Sequence, residues 1–374
     1  MPDEAPPALK EMFNAAQFRR IADLLADVHS GFDRDRFLAL ATDGLGDLTL
    51  IQRVRRATDA THATLPKNFV HAVAVLKNIA PQIQSGFVGI FLPDFVGQHG
   101  HDHFDESMEA LKFLTPFSSA EFAIREFLKR DFARTLAVMK RWSHDDNEHV
   151  RRLASEGSRP RLPWSFRLDP VIRDPSLTQP ILENLKADPS LYVRKSVANH
   201  LNDISKDHPE LMLDWLNRWD LKNARSAWIA RHASRSLIKA GHPRSFRLFG
   251  FTVKPAVKIF GFVVTPAKLK LGGVLTFSFT LKSLARKPQK LAVDYIVHYR
   301  KKSGQLAPKV FKLKETTLAA SASMVISKRQ RITNFTTRVH HAGRHEVELM
   351  INGRIVAKKG FELLIPARRN KTEN

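Results

Sequence analysis

The chain has 374 residues, enough for two domains that each bury a core. It contains no cysteine, which excludes disulfides, thiolate metal sites and a cysteine nucleophile, and fits a reducing cytoplasm. The net charge of +23 is concentrated at one end: from Phe251 onward there are 25 Lys and Arg against 6 Asp and Glu, while the first 250 residues hold 35 against 31. That asymmetry implies a polyanionic partner. Nucleic acid fits better than a membrane, because no amphipathic helix accompanies the charge and no apolar run approaches the roughly 20 residues of a spanning helix.

The opening MPDEAPPALKEM is acidic and proline-rich, the reverse of a secretory signal, and residues 1–7 are expected to be disordered. From residue 8 to about 247 the pattern is helical. Segments at 14–30, 48–61, 68–80, 87–96 and 106–114 each carry an apolar stripe, most of them closed by Gly, Pro or an Asx/Ser cluster. The run QHGHDHFD sets His99, His101 and His103 beside Asp102 and Asp105, but at no standard metal-ligand spacing. No phosphate-cradling glycine loop and no Ser/His/Asp arrangement stands out.

Residues 148–164 read EHVRRLASEGSRPRLPW. As a helix, this stretch puts Val150, Leu153, Ala154 and Gly157 on one apolar face, with Arg152 and Glu156 four apart on the opposite, outward face. The helix should break at Gly157, and a stiff arm with Pro160 and Pro163 then delivers Trp164.

The later part repeats. Val150-Arg151-Arg152 recurs as Val193-Arg194-Lys195, and YVRKSVANHLNDISKDHP, ending at Pro209, is echoed by AWIARHASRSLIKAGHP, ending at Pro243. Periods of this size, each a helix pair, mark HEAT-like repeats that stack into a solenoid with a concave face. Val193, Val197, Leu201 and Ile204 form the buried stripe of the second repeat helix; Lys195, Asn199 and Asp203 lie opposite. In the third, Trp228, Arg231, Arg235 and Lys239 share an outward stripe. In register, these rows make one cationic groove with carboxylates inside it.

After Pro243 the period changes to two. VLTFSFTL at 274–281 places Leu275, Phe277, Phe279 and Leu281 on one face and Thr276, Ser278 and Thr280 on the other, and 291–299 and 346–351 alternate likewise. Asn352-Gly353 signals a two-residue hairpin. About seven strands are expected, the size of an immunoglobulin-like sandwich without its disulfide. The tail from Ala367 reads as a loose basic end.

VRRLASEGSRPRLPW and YVRKSVANHLNDISKDHP resemble the DNA alkylation repair glycosylases built from HEAT-like repeats, most of all the AlkC branch. The resemblance covers about residues 10–245, and a basic sandwich behind them is a feature of some AlkC members. It implies monofunctional excision of N3-methylated bases, chiefly 3-methyladenine and 3-methylcytosine, from duplex DNA. An abasic site is left, and the lesion is held without being flipped into a pocket. It also implies that Glu121, Glu156, Trp164 and Asp203 are the lesion-facing positions. Helix-hairpin-helix glycosylases are not resembled.

The chemistry suits those residue types. A base alkylated at N3 is already cationic and leaves without protonation. As the glycosidic bond stretches, charge moves onto the sugar, which becomes oxocarbenium-like. The protein must then supply negative charge beside the sugar and a positioned water. Carboxylates do both, and an indole face stacks on the sugar or on the cationic base. No metal or cofactor is needed. Each residue also has a plainer reading. Ser118-Ser119-Ala120-Glu121 resembles a capping box, Glu156 has Arg152 and Arg159 within pairing distance along the chain, Asp203 sits near a helix end, and Trp164 could dock a loop onto the core.

The expected architecture is therefore mainly α. A HEAT-like solenoid at 8–247 carries catalysis by Glu121, Glu156, Asp203 and Trp164. An immunoglobulin-like sandwich at 251–366 clamps DNA. Arg152, Arg159, Arg161, Lys195, Trp228, Arg231 and Arg235 are the expected DNA contacts. The expected partner is double-stranded DNA containing an alkylated base, bound by a cytoplasmic, nucleoid-associated monomer that avoids membranes. The rival expectation is a non-catalytic HEAT scaffold that binds nucleic acid.

Overall fold

The computed structural model describes residues 8–83, 85–335 and 338–365. The expectations for residues 1–7 and for the tail from Ala367 lie outside them. The chain forms two compact units, one running to His208 and including Trp219–Ala233, the other made of Pro209–Arg218 and Ser234 onward.

The first unit is helical: α1 (Ala15–Val28), α2 (Arg34–Thr42), α3 (Leu50–Thr64), α4 (Phe69–Ile79), α5 (Phe91–His99), α6 (Phe104–Leu114), α7 (Ala123–Arg130) and α8 (Phe132–Trp142). It continues through α9 (Glu148–Gly157), α10 (Asp169–Arg173), α11 (Gln179–Asn184), α12 (Leu191–Ile204) and, beyond α13 (Pro209–Arg218) of the other unit, α14 (Ala224–Ala233). Local chemistry starts many of these helices. Asn14, Asp33, Asn68, Asp131, Asn147 and Ser190 each accept a backbone N–H of the first turn, and Thr49 with Gln52 forms a capping box. Helix α3 packs on α5, α5 on α7, and α12 lies between α9 and α14.

The repeated Val-Arg pair has a structural counterpart. Arg151 donates from Nη1 to the carbonyls of Asp145 (2.9 Å) and Asp146 (2.8 Å), and Arg194 donates from Nη1 to those of Asp188 (2.8 Å) and Pro189 (2.7 Å). The two arginines thus tie the same turn to the start of their helices, five and six residues back. Arg151 also binds Asp188 through Nε (2.6 Å) and Nη2 (3.1 Å), joining one repeat to the next. Val193, Val197, Leu201 and Ile204 are buried, as their spacing requires. The third repeat departs from expectation. Its helix stops at Ala233, and a separate short helix, α15 (Arg235–Lys239), belongs to the second unit. Trp228 and Arg231 therefore do not share one continuous helical stripe with Arg235 and Lys239.

Among the described residues the second unit adds α16 (Pro243–Leu248) and eight strands, one more than expected: β1 (Val257–Thr265), β2 (Lys268–Lys270), β3 (Val274–Ser283), β4 (Gln289–Arg300), β5 (Leu306–Leu318), β6 (Ser323–Arg331), β7 (Gly343–Ile351) and β8 (Arg354–Leu364). They form a three-stranded sheet, β1-β3-β6, and a five-stranded sheet, β2-β8-β7-β4-β5. Leu275, Phe277, Phe279 and Leu281 of β3 meet Tyr295 and Val297 of β4 in a common core. Asn352 and Gly353 both have positive φ, 44° and 74°, as a tight β7–β8 turn requires. Strand β4 does not alternate as expected: it is buried on both faces, because Ala292 on the far side packs with Ile238, Phe246 and Phe251. Ile238 of α15, Phe246 of α16 and the following Phe251 cover that face of β4, which explains why the second unit begins before residue 247.

Candidate active site

The site is built on α9 and the segment that follows it. Gly157 allows the close packing there, since a Cβ at this position would lie 2.5 Å from Ile124 Cγ2. Beyond it the chain turns through Pro160 and Pro163 to Trp164, which has a φ of 63° and is 62% exposed. A non-glycine residue in the left-handed region needs support from its surroundings. Arg125 of α7 supplies it. This fully buried guanidinium donates to the carbonyls of Gly157 (2.9 Å) and Arg159 (2.7 Å) at one end of the segment, and to that of Phe166 at the other. Its charge also lies over the Phe166 ring at 5.1 Å. Burial lowers the Arg125 pKa to about 10, helped by the neighbouring charge of Arg159, which leaves it protonated at neutral pH.

The expected carboxylates converge. Arg152 donates to Glu121 and, at 2.7 Å, to Ser119 Oγ; its other terminal nitrogen is 3.7 Å from Glu156. Arg159 donates to Glu156 at 2.6 Å and holds Asp203 at 2.8 and 2.9 Å. Lys206 closes the row on Asp203 at 2.9 Å. Acid and base thus alternate from Glu121 to Lys206. Burial alone would raise the Glu156 carboxyl, but Arg152 and Arg159 outweigh it and hold Glu156 below the ordinary range. Burial opposes the charge on Arg159 too, and Glu156 and Asp203 prevail and raise it. Behind them His200 is wholly buried, with Nδ1 2.9 Å from the Ser155 carbonyl and Nε2 3.2 Å from the Thr178 hydroxyl; burial lowers its pKa to about 4.

Several expectations need correction here. Glu156 does not point away from the core: it is buried, because α12 packs on α9 and covers that face. Asp203, placed opposite the buried stripe of its helix, is buried as well. Arg159, expected to meet phosphate, is itself buried between those two carboxylates. Arg161 is engaged by Asp207, at 2.8–3.2 Å. Glu121 does not form the capping box, since Ser119 Oγ donates to it at 2.9 Å and Arg152 pairs with it.

Glu121, Arg152, Trp164 and Tyr192 line one open cleft of about 410 Å³, together with Phe87 and Phe122. Tyr192 was not among the sequence candidates, although an aromatic beside the repeated Val-Arg pair is a usable signal. Its ring lies 5.0 Å from the Arg152 guanidinium and 5.5 Å, edge-on, from His149. Lys195 is exposed on α12. Trp228 stacks flat on His232 at 5.0 Å, with the Arg194 guanidinium 5.9 Å from its ring. Arg231 and Arg235 are partly covered. The histidines of QHGHDHFD go to ring packing: His99 stacks on His62 at 3.7 Å, His101 lies against Phe127 and His103 on Phe69. Among the described residues no group of three or more His, Cys, Asp or Glu is placed to hold a metal ion.

Residues 113–237 match the DNA alkylation repair enzyme family, and residues 258–365 match the C-terminal immunoglobulin-like domain defined on protein YhaZ. The chain is 39% identical to YhaZ of Bacillus subtilis (strain 168) over 356 residues, 95% of this chain and 99% of that one. It is also similar to the solved structure of the Pseudomonas fluorescens alkylpurine DNA glycosylase AlkC bound to DNA containing an abasic site analog. There the identity is 53%, the match covers 96% of this chain and 100% of that one, and the TM-score is 0.92.

Proposed function

The chain belongs to the AlkC-type DNA alkylation repair glycosylases, and from that premise and the cleft geometry we propose that it excises cationic N3-alkylated bases, 3-methyladenine and 3-methylcytosine, from duplex DNA without turning them out of the helix. The observation that carries this reading is the pairing, in one cleft, of the Glu121 carboxylate with the exposed Trp164 indole. The cleft is open, and an exposed indole braces a base or sugar from the side without enclosing it.

In this reading the alkylated base departs neutral with the bonding electrons, the sugar becomes cationic, and Glu121 faces that charge. A water held on Glu121 attacks the anomeric carbon and gives its proton to the carboxylate, leaving an abasic sugar. Without DNA, each carboxylate is balanced by an arginine. A phosphate arriving at Arg152 competes for the guanidinium and leaves Glu121 with uncompensated negative charge beside the sugar. Glu156 and Asp203 act from behind, by holding Arg152 and Arg159 in place. We assign catalysis to the helical part, read as a solenoid of HEAT-like repeats, and assign further phosphate contacts to the basic immunoglobulin-like domain. Release of free base from methylated duplex DNA, with alkali-labile sites left behind, tests this reading; a non-catalytic scaffold releases none.

A further inference from the structure

A second cavity, of about 160 Å³, lies beside the cleft and shares Phe87, Ile90, Phe122 and Trp164 with it. We propose that this cavity receives the free base after excision: a flat, phosphate-free heteroaromatic ring. The inference rests on the glycosylase reading above.

Size and lining carry the argument. The volume equals about five water molecules and is smaller than the roughly 300 Å³ at which drug-sized pockets begin, so it suits a one- or two-ring heterocycle. Phe87, Phe122, Trp164 and Phe166 offer aromatic surface to such a ring. Its charged groups are Asp94, Glu126 and Arg55. Asp94 is fixed by the Thr58 hydroxyl at 2.6 Å and by Arg55 at 3.3 Å. With two carboxylates against one guanidinium, the cavity is locally acidic in a protein of net charge +23. That balance rejects phosphate and favours ring N–H and exocyclic amino donors. A nucleobase has those donors, and it meets this lining without phosphate only after its glycosidic bond is cut. The shared residues make the cavity adjacent to the bond-breaking site.

The test titrates the full chain with 3-methyladenine by calorimetry, with adenosine 5′-monophosphate as the phosphate-bearing control. The expected result is one base bound per chain, with the nucleotide at least tenfold weaker. Ile51 lines this cavity and is not among the cleft residues. Ile51→Trp fills the space and is expected to abolish base binding while single-turnover excision stays unchanged. Asp94→Asn is expected to weaken base binding at least tenfold, and decides the matter should Ile51→Trp fail to fold. No binding at millimolar base, equal affinity for the nucleotide, or binding indifferent to both substitutions overturns the proposal. Excision measured on the same preparations separates the two readings: an active enzyme that binds no base sinks only the cavity, and an inactive protein that binds base sinks the glycosylase reading and, with it, the product role of the cavity.

Discussion

Arg159 grips Asp203 with two nitrogens, Nε at 2.9 Å and Nη2 at 2.8 Å from the same carboxylate oxygen, in a place that water barely reaches. Breaking a buried pair strands the remaining charge, at a cost of about 3–5 kcal/mol. Asp203→Ala is therefore expected to lose both excision and stability, while Glu121→Ala loses excision at a smaller cost in stability, because Arg152 keeps Glu156 and Ser119 as partners. Urea unfolding of the two variants checks this; equal and small shifts in midpoint refute the assignment of Asp203 to a structural ion network.

Arg125 is the positioning group for Trp164. It fastens both ends of the segment that carries the indole, and a misplacement of about 1 Å costs on the order of 10²-fold in rate. Arg125→Lys keeps the charge but loses the three-way donation. It is expected to lower single-turnover excision by about that factor while the affinity for abasic DNA stays near wild type. A drop in affinity with an unchanged rate shows instead that Arg125 serves binding.

Stability should fall in acid before the carboxylates titrate. His200 has a folded pKa of about 4 against an ordinary 6.5, so between those values the unfolded chain binds the extra proton and stability falls as pH falls. Over that interval the loss is about 1.4 kcal/mol for each step of one in pH. Glu156, held below its ordinary value, adds a further loss as pH drops through the carboxylate range. Urea midpoints from pH 7 to pH 4 are expected to decline, and His200→Gln to flatten the upper part of that decline; a flat wild-type profile across this range contradicts a buried neutral His200.

Exposed cations of the immunoglobulin-like domain are expected to contribute to the salt-dependent part of DNA affinity, in line with the phosphate contacts proposed for it. Lys282, Arg329 and Arg331 stand on the three-stranded sheet and are exposed. Replacing them with alanine is expected to weaken binding to any duplex, lesion or not, and to lower the slope of log affinity against log salt by about 0.9 per lost contact. An unchanged slope removes these residues from the DNA interface.

What could be read from the sequence depended on whether one element or several decide a residue's surroundings. The faces of β3, the Asn352-Gly353 turn and the stripe Val193–Val197–Leu201–Ile204 follow from period and turn chemistry within single elements, and the structure has them. Burial of Glu156 does not follow, because the face opposite the first apolar stripe of α9 is covered by α12. Arg125 was invisible for the same reason: an arginine in an amphipathic helix reads as solvated until a carbonyl-rich turn closes over it. The break at Ser234 escapes helical periodicity, since α14 and α15 are each helical and only the division into units separates them.

The most direct measurement is single-turnover release of 3-methyladenine from a defined duplex by wild type and Glu121→Gln, with enzyme saturating. Wild type is expected to release the base rapidly and the variant to be slower by a factor of about 10² or more, with abasic-DNA affinity preserved. Equal rates for the two proteins contradict the role given to the Glu121 carboxylate.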